Sequence, residues 1–501
     1  MPCQLEASTA PSPGPSDPVQ RKPDPAVPSA GLDTETRRSI GSCLASFLLH
    51  GLILLILALV GIGSNLNSKN RTDVVLSWDA DTGAALDTAT GDLDIPKIEL
   101  PADAPALDHL PLTLPSSLPS PLPQTPQPVV DRGILDPGLR SKLNEEFVRP
   151  DGGGWEGRSE AARATLLAKG GGSGITEGAV VAGLEWLQRH QHDDGSWTFG
   201  FDQKPCEGQC RNSSDLSNTT GATGLALLCF LGRNHTHMNE SPYRATVEKG
   251  IYYLLRRIKP TKHGGDLQEG TMYAQGIATL ALCEAYGLTR DETLRDYAQS
   301  CVDFICYAQH QGGGWRYAPK QQGDTTVFGW QLMALKSAKL AGLRVPSLVT
   351  IQARGFLDSV AADEGAFYGY LAPGKEPTPT AVGLLCRMYT GWPRNHDPLR
   401  RGVDFLAARG PSKTDMYFNY YATQVMFHYR VGGWTGWNSR LSKYLIRTQA
   451  KTGHETGSWY FDDPYAEEAG RHYVTCLAIM ILEVYYRHMP LYRDGILEKR
   501  F

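Results

Sequence analysis

A short polar loop carries two cysteines downstream of two histidines. Cys206 and Cys210 are four residues apart in the segment KPCEGQC, and His190 and His192 precede them in the chain. Thiolates and imidazoles are ligands that Zn²⁺ prefers, so these four residues are a candidate zinc site. Their spacing does not match a zinc finger, and a local disulfide between the cysteines in an oxidising compartment is the alternative. The sequence leaves both open.

Two pairs of adjacent carboxylates are candidates for acid–base chemistry. They are Asp193 with Asp194 and Asp462 with Asp463. Both pairs fall in polar loops, where carboxylates are usually solvated. We therefore expect solvent exposure for each pair, while Asp462 and Asp463 stay among the candidates for a cavity.

One apolar segment has the length of a membrane span. Residues 43–64 contain no Asp, Glu, Lys or Arg and can cross a hydrocarbon core of about 30 Å. A polar stretch precedes the segment and no cleavage site follows a short apolar run, which predicts a retained anchor. Arg37 and Arg38 favour a cytoplasmic N-terminus. The sequence thus predicts a single-pass inner-membrane protein with an extracytoplasmic C-terminal part.

The predicted span contains the polar residues Ser46 and His50. Ionisable groups are costly within a bilayer and are therefore functional suspects. A neutral His50 packed against a partner helix is one interpretation. Contact with a proton-channel partner is the other.

The remaining chain divides by composition. Residues 1–42 are predicted to be a disordered cytoplasmic tail, and 65–174 a Pro-rich, largely disordered linker. From 175 to 493 apolar residues follow a helical period, and the pattern repeats every ~50 residues. Residues 494–501 form a C-terminal tail.

Each repeat pairs an amphipathic helix with a more apolar one. The first amphipathic copy carries Gly183, Trp186, Gln191, Gly195 and Trp197, and five related pieces follow. The apolar helices are predicted to begin near Thr223, Tyr273, Thr325, Thr380, Tyr421 and Tyr473. Such pairs bury both kinds of helix if they close into a ring with the apolar helices inside. The predicted fold is all-α, an (α/α)6 toroid of six helical hairpins.

The string G-x2-W-L-x3-Q-x3-G-x-W at 183–197 resembles the QW repeat of the squalene and hopene cyclase family. That family shares its toroid with the β subunits of protein prenyltransferases. The segments opening at Lys249 and Arg401 are similar, and 486–492 resembles the closing segment of hopene cyclases. The resemblance spans 175–493 and implies that the Gln and Trp residues tie outer helices together.

The catalytic motifs of these families are incomplete in this chain. Cyclases protonate an alkene with a DxDD motif, which the toroid lacks. Prenyltransferases bind zinc through Asp, Cys and His at the starts of inner helices. Val474 stands in the place of that His, so His472 and Cys476 form only part of the set. The sequence predicts no cofactor.

Polar residues at one set of inner-helix ends are the default place for a site. Capping of helices explains Asp324 and Asn419 without further function. The candidates for catalysis are Asp324, Tyr273, Tyr420, His472, Asp462 and Asp463.

Two shorter segments carry further resemblances. Complement-type thioester domains also use this toroid, and they join Cys and Gln of a Cys-Gly-Glu-Gln motif. Cys206 and Gln209 have that spacing with the middle residues interchanged. Ser46-x3-His50-x6-Leu57 resembles the anchor of TonB-type energy transducers, which also precedes a Pro-rich spacer. That resemblance implies a proton-channel partner.

Composition and motifs together favour a membrane-tethered binding or scaffold module. A net charge of −4 over 501 residues offers no basic face for nucleic acid. Without complete catalytic motifs, the toroid is expected to hold a hydrophobic ligand, an envelope polymer or a protein. The alternative is an enzyme, a divergent terpene cyclase or isoprenoid transferase. Asp324, His472 and Tyr420 around one deep pocket would favour the enzyme, and a shallow aromatic groove would favour binding.

Overall fold

The computed structural model describes residues 154–430 and 433–492. Within them the chain forms fourteen α-helices and two antiparallel hairpins of very short strands. The predicted tails, span and most of the linker, with Ser46 and His50, lie outside these residues. Among the helices that are described, none combines the length and apolar character needed to cross a membrane.

Helices of two kinds alternate along the chain. The outer helices are α2 (Gly174–Arg189), α4 (Arg244–Arg257), α6 (Glu292–Ala308), α8 (Ser347–Ser359), α10 (Asp397–Arg409) and α12 (Trp434–Thr448). The inner helices are α3 (Thr219–Gly232), α5 (Met272–Thr289), α7 (Thr325–Leu340), α9 (Pro377–Tyr389), α11 (Met416–Tyr429) and α13 (Pro464–Leu482). Two helices frame the set, α1 (Glu160–Gly170) and α14 (Val484–Arg487).

The two hairpins follow outer helices. Strands β1 (Lys259–Thr261) and β2 (Gly264–Asp266) come after α4, with Pro260 opposite Gly265. Strands β3 (Ala361–Ala362) and β4 (Phe367–Tyr368) come after α8. They act as turns between an outer helix and the next inner helix.

The six inner helices close into a ring. Each packs against the next one along the chain, and α13 returns to pack against α3. In α7 every residue from Thr325 to Ala338 is buried, whereas α10 buries only five positions. A helix that is apolar on most faces must be surrounded by neighbours, and an amphipathic one keeps a wet face. The predicted all-α ring of helical hairpins is confirmed.

Three copies of the Gln–Gly–Trp pattern make the same hydrogen bonds. Gln309 Nε2 donates to Gly313 O in its own loop and to Val349 O of α8, each at 2.9 Å. Trp315 Nε1 donates to Ile305 O at 2.8 Å. The equivalent donors are Gln191 to Gly195 and Thr246, Gln449 to Gly457 and Ala179, Trp197 to Leu187, and Trp459 to Leu445. The repeat residues therefore join each outer helix to its neighbour.

The glycine of this pattern allows close approach of two backbones. At Gly313, with φ of 85°, a Cβ atom would lie 1.8 Å from Gln352 O of α8. At Gly457 it would lie 2.0 Å from Ala182 O of α2. The second contact joins the sixth repeat to the first, so the motif also serves ring closure.

The chain before the first repeat differs from prediction. Residues 154–174, assigned from sequence to the linker, contain a 3-10 turn at Glu156–Arg158 and helix α1. Both pack against α14. The segment has no copy of the repeat pattern, so periodicity gave no signal for it. The inner helices otherwise begin within a few residues of prediction, apart from α13, whose start at Pro464 includes a break at Gly470.

Candidate functional site

The amino-terminal ends of the inner helices lie together at one face of the ring, termed the mouth. Thr378 Oγ1 of α9 donates to Asp415 Oδ2 at 2.8 Å, and Met416 N of α11 donates to Asp463 Oδ2 at 2.6 Å. Such bonds link neighbouring helix ends. Side chains that cap the first turns are Asn218, Thr271, Asp324, Asp415 and Asp463.

Capping accounts for part of the predicted polar set. Asp324 Oδ1 accepts hydrogen bonds from Thr326 N and Val327 N, as predicted for a cap. Asn419 is not a cap, because it lies inside α11 and exchanges two hydrogen bonds with the backbone of Ser412. The prediction for Asn419 was wrong.

Two carboxylates at the mouth are buried, although Asp463 was predicted to be solvated. Asp463 is 1% exposed and Asp324 is fully buried, and burial raises the pKa of each carboxyl. Asp324 Oδ2 has no hydrogen bond, although Arg316 Nε lies 3.8 Å away. Asp462, in contrast, is exposed.

The acidic pair in the first loop is solvated as expected. Asp193 and Asp194 are both exposed. Asp194 Oδ1 accepts hydrogen bonds from the backbone and hydroxyl of Ser196, which shapes the loop. Neither carboxylate faces the interior of the ring.

Tyrosine rings cover the mouth from the inside. Tyr273 Oη donates to Thr326 Oγ1 at 2.7 Å, and Tyr417 Oη donates to Thr326 O at 2.9 Å. Both rings thus meet at the first turn of α7. The ring of Tyr421 lies 5.0 Å from that of Tyr417.

Further tyrosines extend this surface outwards. Tyr317 and Tyr370 share a hydrogen bond of 2.8 Å between their hydroxyl groups, and both are half-buried. The Tyr317 ring lies 6.2 Å from that of Tyr273, and Tyr465, 47% exposed, lies 6.1 Å from Tyr417. We term Tyr273, Tyr317, Tyr370, Tyr417 and Tyr465 the tyrosine face. Sequence reasoning missed Tyr317 and Tyr370 because they lie in loops, and it missed Tyr465 because the first turn of α13 was assigned to the preceding loop.

The opposite end of the ring is closed by a buried ion cluster. Arg158 Nη1 donates to Glu284 Oε2 at 2.8 Å, and Arg487 contacts Glu284 at 3.1 Å and Glu483 at 3.3 Å. None of these four side chains is more than 5% exposed. Burial alone would raise the pKa of Glu284, but the two guanidinium groups hold it below its ordinary value.

A small cavity of about 30 Å³ lies beside this cluster. Its lining includes Lys336, Tyr389 and Tyr420. Burial lowers the pKa of Lys336 to about 7, and its ammonium lies 3.9 Å from the centre of the Tyr389 ring. The volume is of the order of one or two water molecules.

The three residues proposed for acid–base chemistry do not share a pocket. Asp324 lies at the mouth, while Tyr420 stacks on Trp330 and lines the cavity at the closed end. His472 Nε2 lies 2.9 Å from Ala222 O. A carbonyl can only accept, so this nitrogen carries the proton. The clustering of these three residues around one deep pocket, which would favour the enzyme alternative, is therefore not found.

His472 and Cys476, the partial metal set, lie near one another. The sulfur of Cys476 is 3.7 Å from His472 Nε2, which already donates to Ala222 O. Within residues 154–430 and 433–492, the group of three or more ligand side chains close enough to hold a metal includes neither.

That group lies instead at the loop between α2 and α3. It consists of His190, Cys206, Cys210 and His454, whose ligand atoms all lie within 4.8 Å of one another. The two cysteines are free thiols. Burial lowers the pKa of His190 to about 3, so its ring is neutral at pH 7.

Two residues predicted for this loop lie outside the group. His192 Nε2 pairs with Thr198 Oγ1 at 3.2 Å. His454 is the fourth member of the group, the position predicted for His192. Gln209 is exposed, whereas the sulfur of Cys206 is buried and faces His454 at 3.6 Å. The sequence could not single out His454, because it lies 248 residues from Cys206 in a loop of another repeat.

Comparisons with protein-family models and with curated proteins find no match for this chain. Similar solved structures include the type II terpene cyclase MstE from Scytonema, with 11% identity over 63% of this chain and 98% of that one and a TM-score of 0.44. An inactive variant of the α-1,6-mannanase GH76A of Salegentibacter sp. HEL1_6 has 9% identity, coverage of 61% and 98%, and a TM-score of 0.41. An α-amylase from Clostridium perfringens has 11% identity, coverage of 61% and 97%, and a TM-score of 0.40. The packing of the inner helices within this chain is what defines its toroid.

Proposed function

We propose that the toroid is a binding module that holds a glycan polymer of the cell envelope against its tyrosine face. The observation that carries this proposal is the small size of the cavity that the described residues leave at the closed end of the ring. Enclosing a small substrate takes a pocket of about 300–1,000 Å³, whereas the cavity at the closed end measures about 30 Å³. The rings of Trp330, Tyr420 and Tyr421 are buried and pack against one another beside this cavity.

The chemistry of the tyrosine face supports a glycan as its partner. Tyr317, Tyr370 and Tyr465 present partly exposed rings whose hydroxyl ends are polar. Aromatic side chains of this kind offer large apolar faces at low entropic cost and a polar handle at one end. Sugar rings have both an apolar C–H face and hydroxyl groups, so they fit such a surface. The predicted anchor would hold the toroid among envelope polymers.

Binding to insoluble envelope glycan tests the proposal. The full-length chain is sedimented with purified cell-wall glycan, beside a variant with Tyr317→Ala, Tyr370→Ala and Tyr465→Ala. Each aromatic contact contributes about 0.5–1.5 kcal/mol, so the triple variant should bind at least about tenfold more weakly. Tyr252→Ala on the outer helix α4 is the matched control and should bind normally. No sedimentation of the unaltered chain, or equal binding by both variants, would overturn the proposal.

The enzyme alternative predicts different results. An isoprenoid that copurifies with the chain, detected by mass spectrometry of a lipid extract, would favour a divergent cyclase or transferase. Release of soluble saccharide that is lost in Asp324→Asn would favour a hydrolase at the mouth. Either result would replace the binding proposal.

The anchored topology is a separate part of the proposal. Deletion of residues 43–64 should move the chain from the membrane fraction to the soluble fraction. Coupling to a proton channel predicts that His50→Ala abolishes copurification with a membrane partner, with Ser46→Ala as the milder change. If His50→Ala leaves copurification unchanged, proton coupling is excluded.

A further inference from the structure

Four side chains of metal-binding type converge where the ring closes. His190 directly follows α2, and Cys206 and Cys210 lie in the loop between α2 and α3, all in the first repeat. His454 lies in the loop between α12 and α13, in the last repeat. Only closure of the ring brings these two loops together.

The distances between the ligand atoms suit a tetrahedral ion. His190 Nε2 and His454 Nδ1 each lie 3.3 Å from Cys210 Sγ, and Cys206 Sγ lies 3.6 Å from His454 Nδ1. With Zn–S and Zn–N bonds of about 2.3 and 2.0 Å, a tetrahedron separates S from N by about 3.5 Å. The widest pair, at up to 4.8 Å, has to close by about 1.0–1.5 Å, depending on whether it joins two sulfurs or two nitrogens.

A second observation orients the first histidine. His190 Nδ1 lies 2.7 Å from Trp186 O, and because a carbonyl accepts only, this nitrogen must carry the proton. Nε2 is then left with a free lone pair that points at Cys210. Histidine ligands of metals are usually held by such a bond from their other nitrogen. The Trp186 ring also stacks on His190 at 4.0 Å and fixes the plane of the imidazole.

The residues that follow the ligands lock the two loops together. Arg211, next to Cys210, makes three hydrogen bonds of 2.9 Å to the carboxylate of Glu455, which is next to His454. Arg471 also pairs with Glu455, at 3.1 Å, and donates to Arg211 O at 3.0 Å. The hydrogen bonds of these neighbouring residues therefore hold the two ligand-bearing loops in position.

We propose that His190, Cys206, Cys210 and His454 bind one Zn²⁺ ion that joins the first repeat of the ring to the last. Both thiols lose their protons to solvent on binding, so the two thiolates balance the charge of the ion. Cys210 N donates to Cys206 Sγ at 3.3 Å and stabilises that sulfur in the charged form. The ion has four protein ligands and no open position, which is the arrangement of a structural site. The proposed zinc site does not depend on the glycan proposal, because the tyrosine face contains none of the four ligands.

Metal content and the cobalt spectrum test the site directly. The full-length chain, purified with a reductant and without a chelator, should contain about one zinc ion per chain, as measured by elemental mass spectrometry. Replacement by Co²⁺ should give the visible bands of a tetrahedral site with thiolate charge transfer. Cys210→Ser and His454→Ala should each reduce zinc at least tenfold, while His192→Ala, in the same loop but outside the group, should keep it.

A separate measurement tests whether the ion joins the first repeat to the last. A chelator should lower the melting temperature of the unaltered chain and leave that of Cys210→Ser unchanged. If the His454→Ala variant keeps one zinc ion and gives the same cobalt spectrum, the ion does not join the first repeat to the last. If the variants fail to fold, thiol titration of the unaltered chain decides, because both cysteines should react quickly only after chelation.

Other outcomes would overturn the site itself. A zinc-free chain whose two thiols titrate freely excludes it. A mass lower by two hydrogens, with both cysteines blocked, would show a disulfide instead. Methylamine incorporation at Gln209 would show a thioester. Glycan sedimentation measured on the same samples separates failure of the metal site from failure of the binding proposal.

Discussion

Replacing Glu284 by glutamine should destabilise the ring more than any exposed substitution. Its carboxylate lies between Arg158, at 2.8 Å, and Arg487, at 3.1 Å, and both guanidinium groups are at most 2% exposed. Glutamine has nearly the same shape, so packing is preserved while the charge is removed. Arg487 then keeps its contact with Glu483, whereas Arg158 loses the carboxylate with which it pairs.

The magnitude follows from the burial of these charges. Leaving a buried charge without its partner costs about 3–5 kcal/mol. Burial raises the pKa of Glu483 to about 8 although Arg487 opposes this, so Glu483 can ionise in the variant and offset part of the loss. We therefore expect the lower end, about 3 kcal/mol, for Glu284→Gln. Adding Arg158→Met restores the balance of charge and should recover at least about 1 kcal/mol.

Urea unfolding of the full-length chain, followed by tryptophan fluorescence at pH 7, measures these differences. Glu292→Gln, with a side chain that is 70% exposed, is the control and should change the free energy of unfolding by less than about 0.5 kcal/mol. A loss below about 1 kcal/mol for Glu284→Gln, or a double variant less stable than the single one, would refute the reasoning.

Three further predictions concern single positions. His428 is fully buried, and burial holds its pKa well below 6.5, so on acidification only the unfolded chain gains this proton and stability falls. At pH 5.5 this loss is about 1.4 kcal/mol, and thermal melts of His428→Leu should show a pH dependence that is weaker by that amount. Gly313→Ala should lower the free energy of unfolding by at least about 2 kcal/mol, because its Cβ would clash with Gln352 O. The control Gly178→Ala lies in open space within α2 and should be neutral or stabilising in the same melts. Gln309→Leu removes two buried hydrogen bonds and should lower the free energy of unfolding, measured by urea titration, by about 1–3 kcal/mol. A loss below about 0.5 kcal/mol would show that the bonds do not hold neighbouring outer helices.

Much of the fold could be predicted because the same local sequence pattern recurs in each repeat. Alternating amphipathic and apolar helices identify outer and inner positions, since burial on one face or on all faces leaves a different periodicity. The Gln–Gly–Trp pattern predicted ties between outer helices, and Gln309 and Gln449 make them. The segment around Arg158 escaped prediction because its role in closing the ring depends on partners such as Glu284, which is 126 residues away.

The candidate sites show the limit of sequence reasoning more clearly. The sequence by itself determined that repeated helical hairpins form and that Cys206 and Cys210 belong to a ligand-rich loop, because both are properties of residues close together in the chain. It predicted solvation for Asp463, which tertiary packing buries, and a fourth ligand at His192, which bonds elsewhere. Only the tertiary structure decided that His454 completes the group, because the last repeat must dock on the first before the two loops meet.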